Sequence, residues 1–139
     1  MEASDDPVQM AKRGYEAFRR KGVDGILEFL DPEIEWRAWS RFARGPNVVR
    51  GHGGVRELLS IYQENFGHLQ AKPLEFIEAR DGRIVVPFRL IGREKGSGRE
   101  VQMDLVHVWT LGGNGLATRV EVYESRREAL KAVGLNDTD

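Results

Sequence analysis

Along residues 8–20 the apolar side chains Val8, Ala11, Tyr15 and Phe18 recur at the spacing of one helix face, after Asp5 and Asp6 as caps and Pro7 as a first-turn residue. Gly22 is a natural stop for this helix. A second, short helix is expected from Gly25 to Leu30, closed by Asp31 and Pro32, because proline disfavours helix in the residue before it. Ile34, Trp36 and Ala38 then alternate with Glu33, Glu35 and Arg37, the period of a half-buried strand with Trp36 facing inward. Residues 41–54 carry Gly45, Pro46, Gly51, Gly53 and Gly54 and read as an irregular loop. Val55, Leu58, Leu59, Tyr62 and Phe66 form the stripe of a third helix that Gly67 ends.

The second half has strand periodicity, cut into four β-rich segments by turn signals at Asp81-Gly82, at Lys95 to Gly98 and at Gly112 to Gly115. This predicts an antiparallel meander. One parity, read as core-facing, contains Leu74, Phe76, Val86, Phe88 and Leu90, then Val101, Met103, Leu105, His107, Trp109 and Leu111, then Val120, Val122 and Glu124. The opposite parity mixes charge with an apolar centre of Ile77, Val85, Val106, Val108 and Tyr123, too apolar for plain solvent. A two-fold homodimer through those five residues is the expectation drawn from it. Ser125 to Glu128 has capping-box spacing, followed by Ala129, Leu130, Ala132, Val133 and the terminator Gly134, which predicts a short last helix. The whole is read as a single α+β domain over residues 1–139, a curved antiparallel sheet wrapped around helices, with residues 1–6 and 136–139 as flexible ends.

Composition narrows the function classes. A chain of 139 residues is long enough to bury a core without staples, and with no cysteine it has no thiolate nucleophile, thiolate metal site or redox pair. Net charge is −1 with acids and bases interspersed, which argues against nucleic acid, and Arg41, Arg44 and Arg50 form only a loose cluster. The acidic start is not a signal peptide and no apolar run reaches membrane-spanning length, so a soluble, cytoplasmic protein is expected. His52, His68 and His107 lack metal-ligand spacing, so neither metal nor cofactor is anticipated. Gly51 to Gly54 before a helix offers amides to an anion, but without the lysine and serine of a phosphate loop.

Several local sequences carry a resemblance: Gly14 to Phe18; Leu30 to Trp36; Arg50-Gly51 with Gly54 to Leu58; His107 to Leu111; and Val122-Tyr123 through Glu128 to Leu130 and Gly134-Leu135. Together with the element order they resemble the SnoaL-like branch, a large bacterial group, of the nuclear transport factor 2-like superfamily. The resemblance implies a cone-shaped sheet around a pocket. It leaves the activity open, because the superfamily holds ketosteroid isomerases, polyketide cyclases, epoxide hydrolases, dehydratases and non-catalytic binding modules. By this likeness Tyr15 stands where ketosteroid isomerases place an oxyanion donor, and His107 where they keep a protonated aspartic acid. Trp36 stands where their aspartate base belongs, and indole cannot accept the substrate proton. The aspartate, arginine, aspartate set of the epoxide hydrolases is not found on the inward parity, since Arg89 and Asp104 lie on the other face.

Tyr15 and His107 are therefore the candidate catalytic pair, with donor or acid–base roles. Glu124 is a candidate neighbour that would fix the imidazole tautomer and raise its pKa on contact; Glu121 is outward, unless a one-residue bulge exchanges the two. Phe18, Trp36, Trp39, Tyr62, Phe66, Phe88, Leu90, Leu105, Trp109, Val120 and Val122, with Glu124, are read as the lining of a pocket for a small, largely apolar organic molecule. The alternative for each is plain core packing, and for His107 a core histidine satisfied by protein partners. Whether the domain turns its ligand over or only binds it stays open.

Overall fold

The computed structural model describes residues 6–38 and 47–135. Helix α1 spans Pro7–Lys21, capped by Asp6, whose carboxylate accepts from the Gln9 N–H at 2.9 Å, and closed by Gly22 at φ +67°. Helix α2 is only Val23–Leu27, ending before the expected Leu30. It crosses α1 so closely at Gly25 that a Cβ there would lie 2.2 Å from the Ala17 carbonyl oxygen. Strand β1 then runs from Leu30 to Ala38 and takes in Pro32, because its pairing shifts between Leu30 and Glu35, where a residue without an N–H is tolerated.

Strand β2 (Asn47–Arg50) pairs antiparallel with β1 inside the stretch read as loop, and α3 (Gly51–Asn65) begins before Val55. Trp39, Arg41, Arg44, Gly45 and Pro46 lie outside the described residues. Phe66 opens strand β3 (Phe66–Pro73) instead of closing the helix. A two-residue β4 (Ile77–Glu78) and the long strands β5 (Ile84–Glu94), β6 (Glu100–Leu111) and β7 (Ala117–Tyr123) follow, then α4 (Arg126–Ala132) capped by Ser125.

The sheet order is β2-β1-β7-β6-β5-β3, with β4 also on β5. Its one departure from an antiparallel sheet is the parallel pairing of β1 with β7, which joins the first half of the chain to the last strand. On the inner face Ile34 and Trp36 of β1, Val86 of β5, Trp109 of β6 and Val120 of β7 are buried against α1, α2 and α3. At about 25 cal/mol per Å² of apolar surface, this one cluster is the main stabilising term of the domain. Leu74, expected inward, is 49% exposed, although its N–H still donates to the Pro87 carbonyl of β5 at 2.8 Å.

The outer face holds a second cluster. Val85, Val106 and Val108 are buried under α4, against Ala129, Leu130 and Val133 of the same chain, with Ile77 and Tyr123 at the margin. The apolar centre of that face, assigned from sequence to a two-fold partner, is thus covered within the chain, and the three valines present no surface to a second copy. Towards β2 the same face turns polar. Glu35, side chain 11% exposed, meets Arg37 at 2.5 Å, Arg50 at 3.1 Å and Arg119 at 3.2 Å. The Arg37 hydrogen bond, with Arg119 and Arg50 nearby, holds this carboxyl below its usual range against the opposing effect of burial.

Candidate functional site

Three side chains from two elements meet inside the cone. Tyr15 comes from the buried stripe of α1, while His107 and Trp109, two apart on β6, point to the same face of the sheet. The approach of α1 to β6 is set by Gly14, where an added Cβ would come within 3.1 Å of the Trp109 ring. Trp109 Nε1–H donates to the Tyr15 hydroxyl at 3.0 Å. The hydroxyl lies 2.7 Å from His107 Nδ1 and has one proton of its own to give. With Nδ1 accepting from that hydroxyl, the relay runs Trp109 to Tyr15 to His107 and leaves the imidazole proton on Nε2.

Every member is deeply buried: Trp109 is 2%, Tyr15 6% and His107 8% exposed. His107 stacks on Phe88, ring centroids 4.0 Å apart, and takes the edge of Trp36 at 5.6 Å. Removed from water in this aromatic cage, the imidazole is pushed down to about 3 by burial and is neutral at physiological pH. Burial likewise pushes the Tyr15 phenol above its ordinary value, with the Trp109 hydrogen bond pulling weakly the other way. The expected rise in the His107 pKa under Glu124 is thus reversed. Desolvation dominates, and the polar partner of the ring is a phenol. Glu124 sits half-buried just past the end of β7. Glu121 accepts from the Tyr123 hydroxyl at 3.0 Å on the outer face. The register shift between β6 and β7 falls where Thr110 and Leu111 of β6 face Arg119 and Ala117 of β7, beyond the His107↔Val122 and Trp109↔Val120 pairs, so the parity at these positions stands.

A relay of this kind leaves one group over. Among the described residues His107 Nε2–H has no hydrogen-bond partner, and a buried donor without one costs about 1–3 kcal/mol. Such a group is satisfied once an acceptor atom reaches it.

A cavity of about 610 Å³ lies against Tyr15, between α1 and the β3–β4 edge of the sheet. Tyr15, Phe18 and the stems of Lys12, Glu16 and Arg19 form the α1 wall. Leu69, Ala71, Pro73 and Phe76 form the apolar part of the opposite wall, with Gln70 and Lys72 between them. Of the lining read from sequence, Tyr15 and Phe18 border this cavity. Trp36, Phe88, Trp109, Val120 and Val122 are buried core, their apolar surface taken up by neighbouring side chains. Tyr62 and Leu105 are half-buried against that core, as are Leu90 and Phe66 at the open end of the sheet, where Phe66 lies over Gly92. Trp39 is outside the described residues.

The β3 wall escaped the sequence reading. The signal for it was present in Leu69, Ala71 and Pro73 alternating with Gln70 and Lys72, but small and polar residues gave it little hydrophobic contrast. Of the histidines that lacked ligand spacing, His52 bonds the Leu30 carbonyl oxygen through Nε2 at 2.8 Å and fastens α3 to β1. Among the described residues no cluster of histidine and acidic side chains could hold a metal ion, and no helix is long and apolar enough to cross a membrane.

Comparison with known proteins places this geometry. The signature of the SnoaL-like domain family matches residues 11–120. TerC, crystallised with polyporic acid, is 28% identical, with 91% of this chain and 96% of that one covered and a TM-score of 0.72. An NTF2-like protein of unknown function from Burkholderia pseudomallei is 26% identical, with coverage of 94% and 98% and a TM-score of 0.73. SalBIII, an epoxide hydrolase/cyclase-like enzyme of pyran ring formation in the polyether salinomycin, shares the fold at 16% identity, coverage of 86% and 91%, and a TM-score of 0.72. No protein of curated function matches.

Proposed function

Since the chain belongs to the SnoaL-like domain family, we propose that it binds a small, largely apolar organic molecule in the cavity beside Tyr15, and that this molecule presents a carbonyl or hydroxyl oxygen to the buried relay. One observation carries the reading: Tyr15 is both a wall of the cavity and the centre of the Trp109–Tyr15–His107 chain, whose far end keeps an unused N–H. With the Tyr15 proton held by His107 Nδ1, the neutral imidazole N–H is the donor suited to polarising a carbonyl or holding a developing oxyanion, the step that isomerisation, cyclisation and dehydration share. Donors placed in an aromatic cage act at low local dielectric, where such a bond is stronger than in water.

The depressed pKa of His107 favours a second reading, a binding module without turnover. An imidazole protonated only near pH 3 is a poor base at neutral pH, and its Nδ1 is already engaged by Tyr15. Native mass spectrometry of freshly purified protein, followed by the same measurement on Tyr15→Phe and His107→Phe, tests both. A retained small molecule that is lost in both variants supports the site. A molecule retained equally by all three proteins removes the relay from it. Incubating the retained molecule with fresh protein and looking for a change in its mass or structure separates turnover from binding.

A further inference from the structure

The cavity beside Tyr15 runs along the backbone of β3 as well as its inner face. Five consecutive residues, Leu69 to Pro73, line it, although neighbours on a strand turn their side chains to opposite faces. The free edge of a strand presents both parities to one space, and β3 ends the sheet order, paired on its other side with β5. The ladder shows which groups that edge offers. Leu74 N–H donates to the Pro87 carbonyl at 2.8 Å, which makes Leu74 and Pro87 a hydrogen-bonded pair. Alternation from there bonds Lys72 to Arg89 and Gln70 to Ile91, and it turns the N–H and C=O of Ala71 and the C=O of Pro73 away from β5, to the cavity side. Among the described residues neither Ala71 group has another partner, and α1 stands off by the width of the cavity. The open stretch is short. At one end the pairing slips between Gly67 and Gln70, with His68 at φ +53°, and at the other Pro73 has no N–H to give. An edge blunted at both ends resists pairing with a whole strand and leaves Ala71 as a position where donor and acceptor sit side by side.

We propose that the ligand carries an amino-acid-like unit, an N–H and a carbonyl separated by one carbon, which pairs with Ala71 as a residue of a further strand would. Its apolar or aromatic body lies along Phe18 and Phe76 towards Tyr15. The backbone pair is neutral and held in place by the ladder behind it, so it adds direction to walls that otherwise supply only shape. This assignment rests on the cavity being the ligand site, and the test separates the two.

The probes are N-acetylphenylalanine N-methylamide, its ester analogue with oxygen in place of the phenylalanine N–H, and 2-acetylnaphthalene, an aromatic ketone without any N–H. Each is titrated by calorimetry into the wild-type protein, while ¹H–¹⁵N spectra locate it and follow hydrogen exchange of the backbone amides. In the free protein the Gln70, Lys72 and Leu74 amides should exchange slowly and the Ala71 amide fast. The amide probe should bind about tenfold more tightly than the ester, as one hydrogen bond provides, with shifts at residues 15–19 and 69–76. At saturation it should slow exchange at Ala71 about tenfold and leave Lys72 unchanged. An Ala71 amide already protected in the free protein, equal affinity for amide and ester, or Ala71 exchange unmoved by the bound amide would each overturn the pairing, and shifts at those residues from 2-acetylnaphthalene would then leave the cavity as the site. No shift there from any probe would overturn the pairing together with the site it rests on.

Discussion

Replacing Tyr15 by phenylalanine removes one oxygen and nothing else of the ring, which isolates the relay from the packing around it. The hydroxyl serves two groups, the Trp109 Nε1–H at 3.0 Å and the His107 Nδ1 at 2.7 Å, and both are left buried without a partner. At about 1–3 kcal/mol for each orphaned group, the variant should lose roughly 2–4 kcal/mol, part of the upper range being recovered by small rotations of the rings. For a domain of 139 residues that is a fall in Tm of roughly 7–14 °C. Urea unfolding followed by tryptophan fluorescence gives the free energy, and ¹⁵N spectra of the imidazole give the tautomer. The wild type should show the proton on Nε2 alone, and Tyr15→Phe a mixture. The double variant Tyr15→Phe/His107→Phe should lose less than the sum of the two single changes, because each removes the partner the other leaves stranded. A loss below 1 kcal/mol in Tyr15→Phe, or strict additivity in the cycle, would refute the relay as a coupled unit.

The pH dependence follows from His107, which takes a proton near pH 6.5 when unfolded but only at about 3 when folded, so the unfolded chain binds more protons between these values. Its contribution is fully present above pH 6.5 and is lost as pH falls towards 3. Wild type minus His107→Phe should narrow by roughly 2 kcal/mol between pH 7 and pH 5, and a flat difference in urea titrations would contradict the buried neutral imidazole. Gly25→Ala drives a methyl into the Ala17 carbonyl, 2.2 Å from its Cβ, and should cost about 3 kcal/mol by separating α2 from α1; a thermal scan matching the wild type would show that the crossing is not tight. Leu130→Ala thins the cover over Val85, Val106 and Val108 and should cost about 2–4 kcal/mol in urea titrations, whereas an α4 that only rests on the sheet would give little change.

Much of this architecture is legible in the residue pattern, and the failures have separable causes. Alternation is clear at residues 101–105, where exposed Gln102 and Asp104 separate half-buried Val101, Met103 and Leu105, and it fades at Val106 to Trp109, where the strand is buried on both sides. The end of α2 was misread since Leu27 and Leu30 suit a helix stripe equally well, and only the distant pairing of Leu30 with Ala117 decides between helix and strand. Phe66 fits the last turn of α3 by spacing, yet the sheet edge needs it across from Glu94. Both errors are local propensity overruled by a ladder partner remote in sequence. In the site, Tyr15 and His107 were visible as polar groups on apolar faces. Their 2.7 Å contact was not, since it joins residues 92 positions apart. The buried ion cluster of Glu35 was equally hidden: alternation marks Glu35 as outward, and only the sheet order brings Arg50 and Arg119 to either side of it.

The outer face shows how far an apolar patch can be read. Val85, Val106 and Val108 have to be covered, and the pattern says so correctly; what covers them is a separate question that composition leaves open. Here the cover is the last helix of the chain, started by Ser125 accepting from the Glu128 N–H and tied to the far side of the sheet by Arg126 on Glu75. The relay obeys a different logic. Apolar side chains of the same shape in place of His107 and Tyr15 would leave no donor or acceptor to satisfy, so the fold alone gives no reason to bury an imidazole between Phe88 and Trp36. The polar chain spends stability to hold one N–H unpaired in a dry cage, and the ligand oxygen proposed above is the acceptor that would return it.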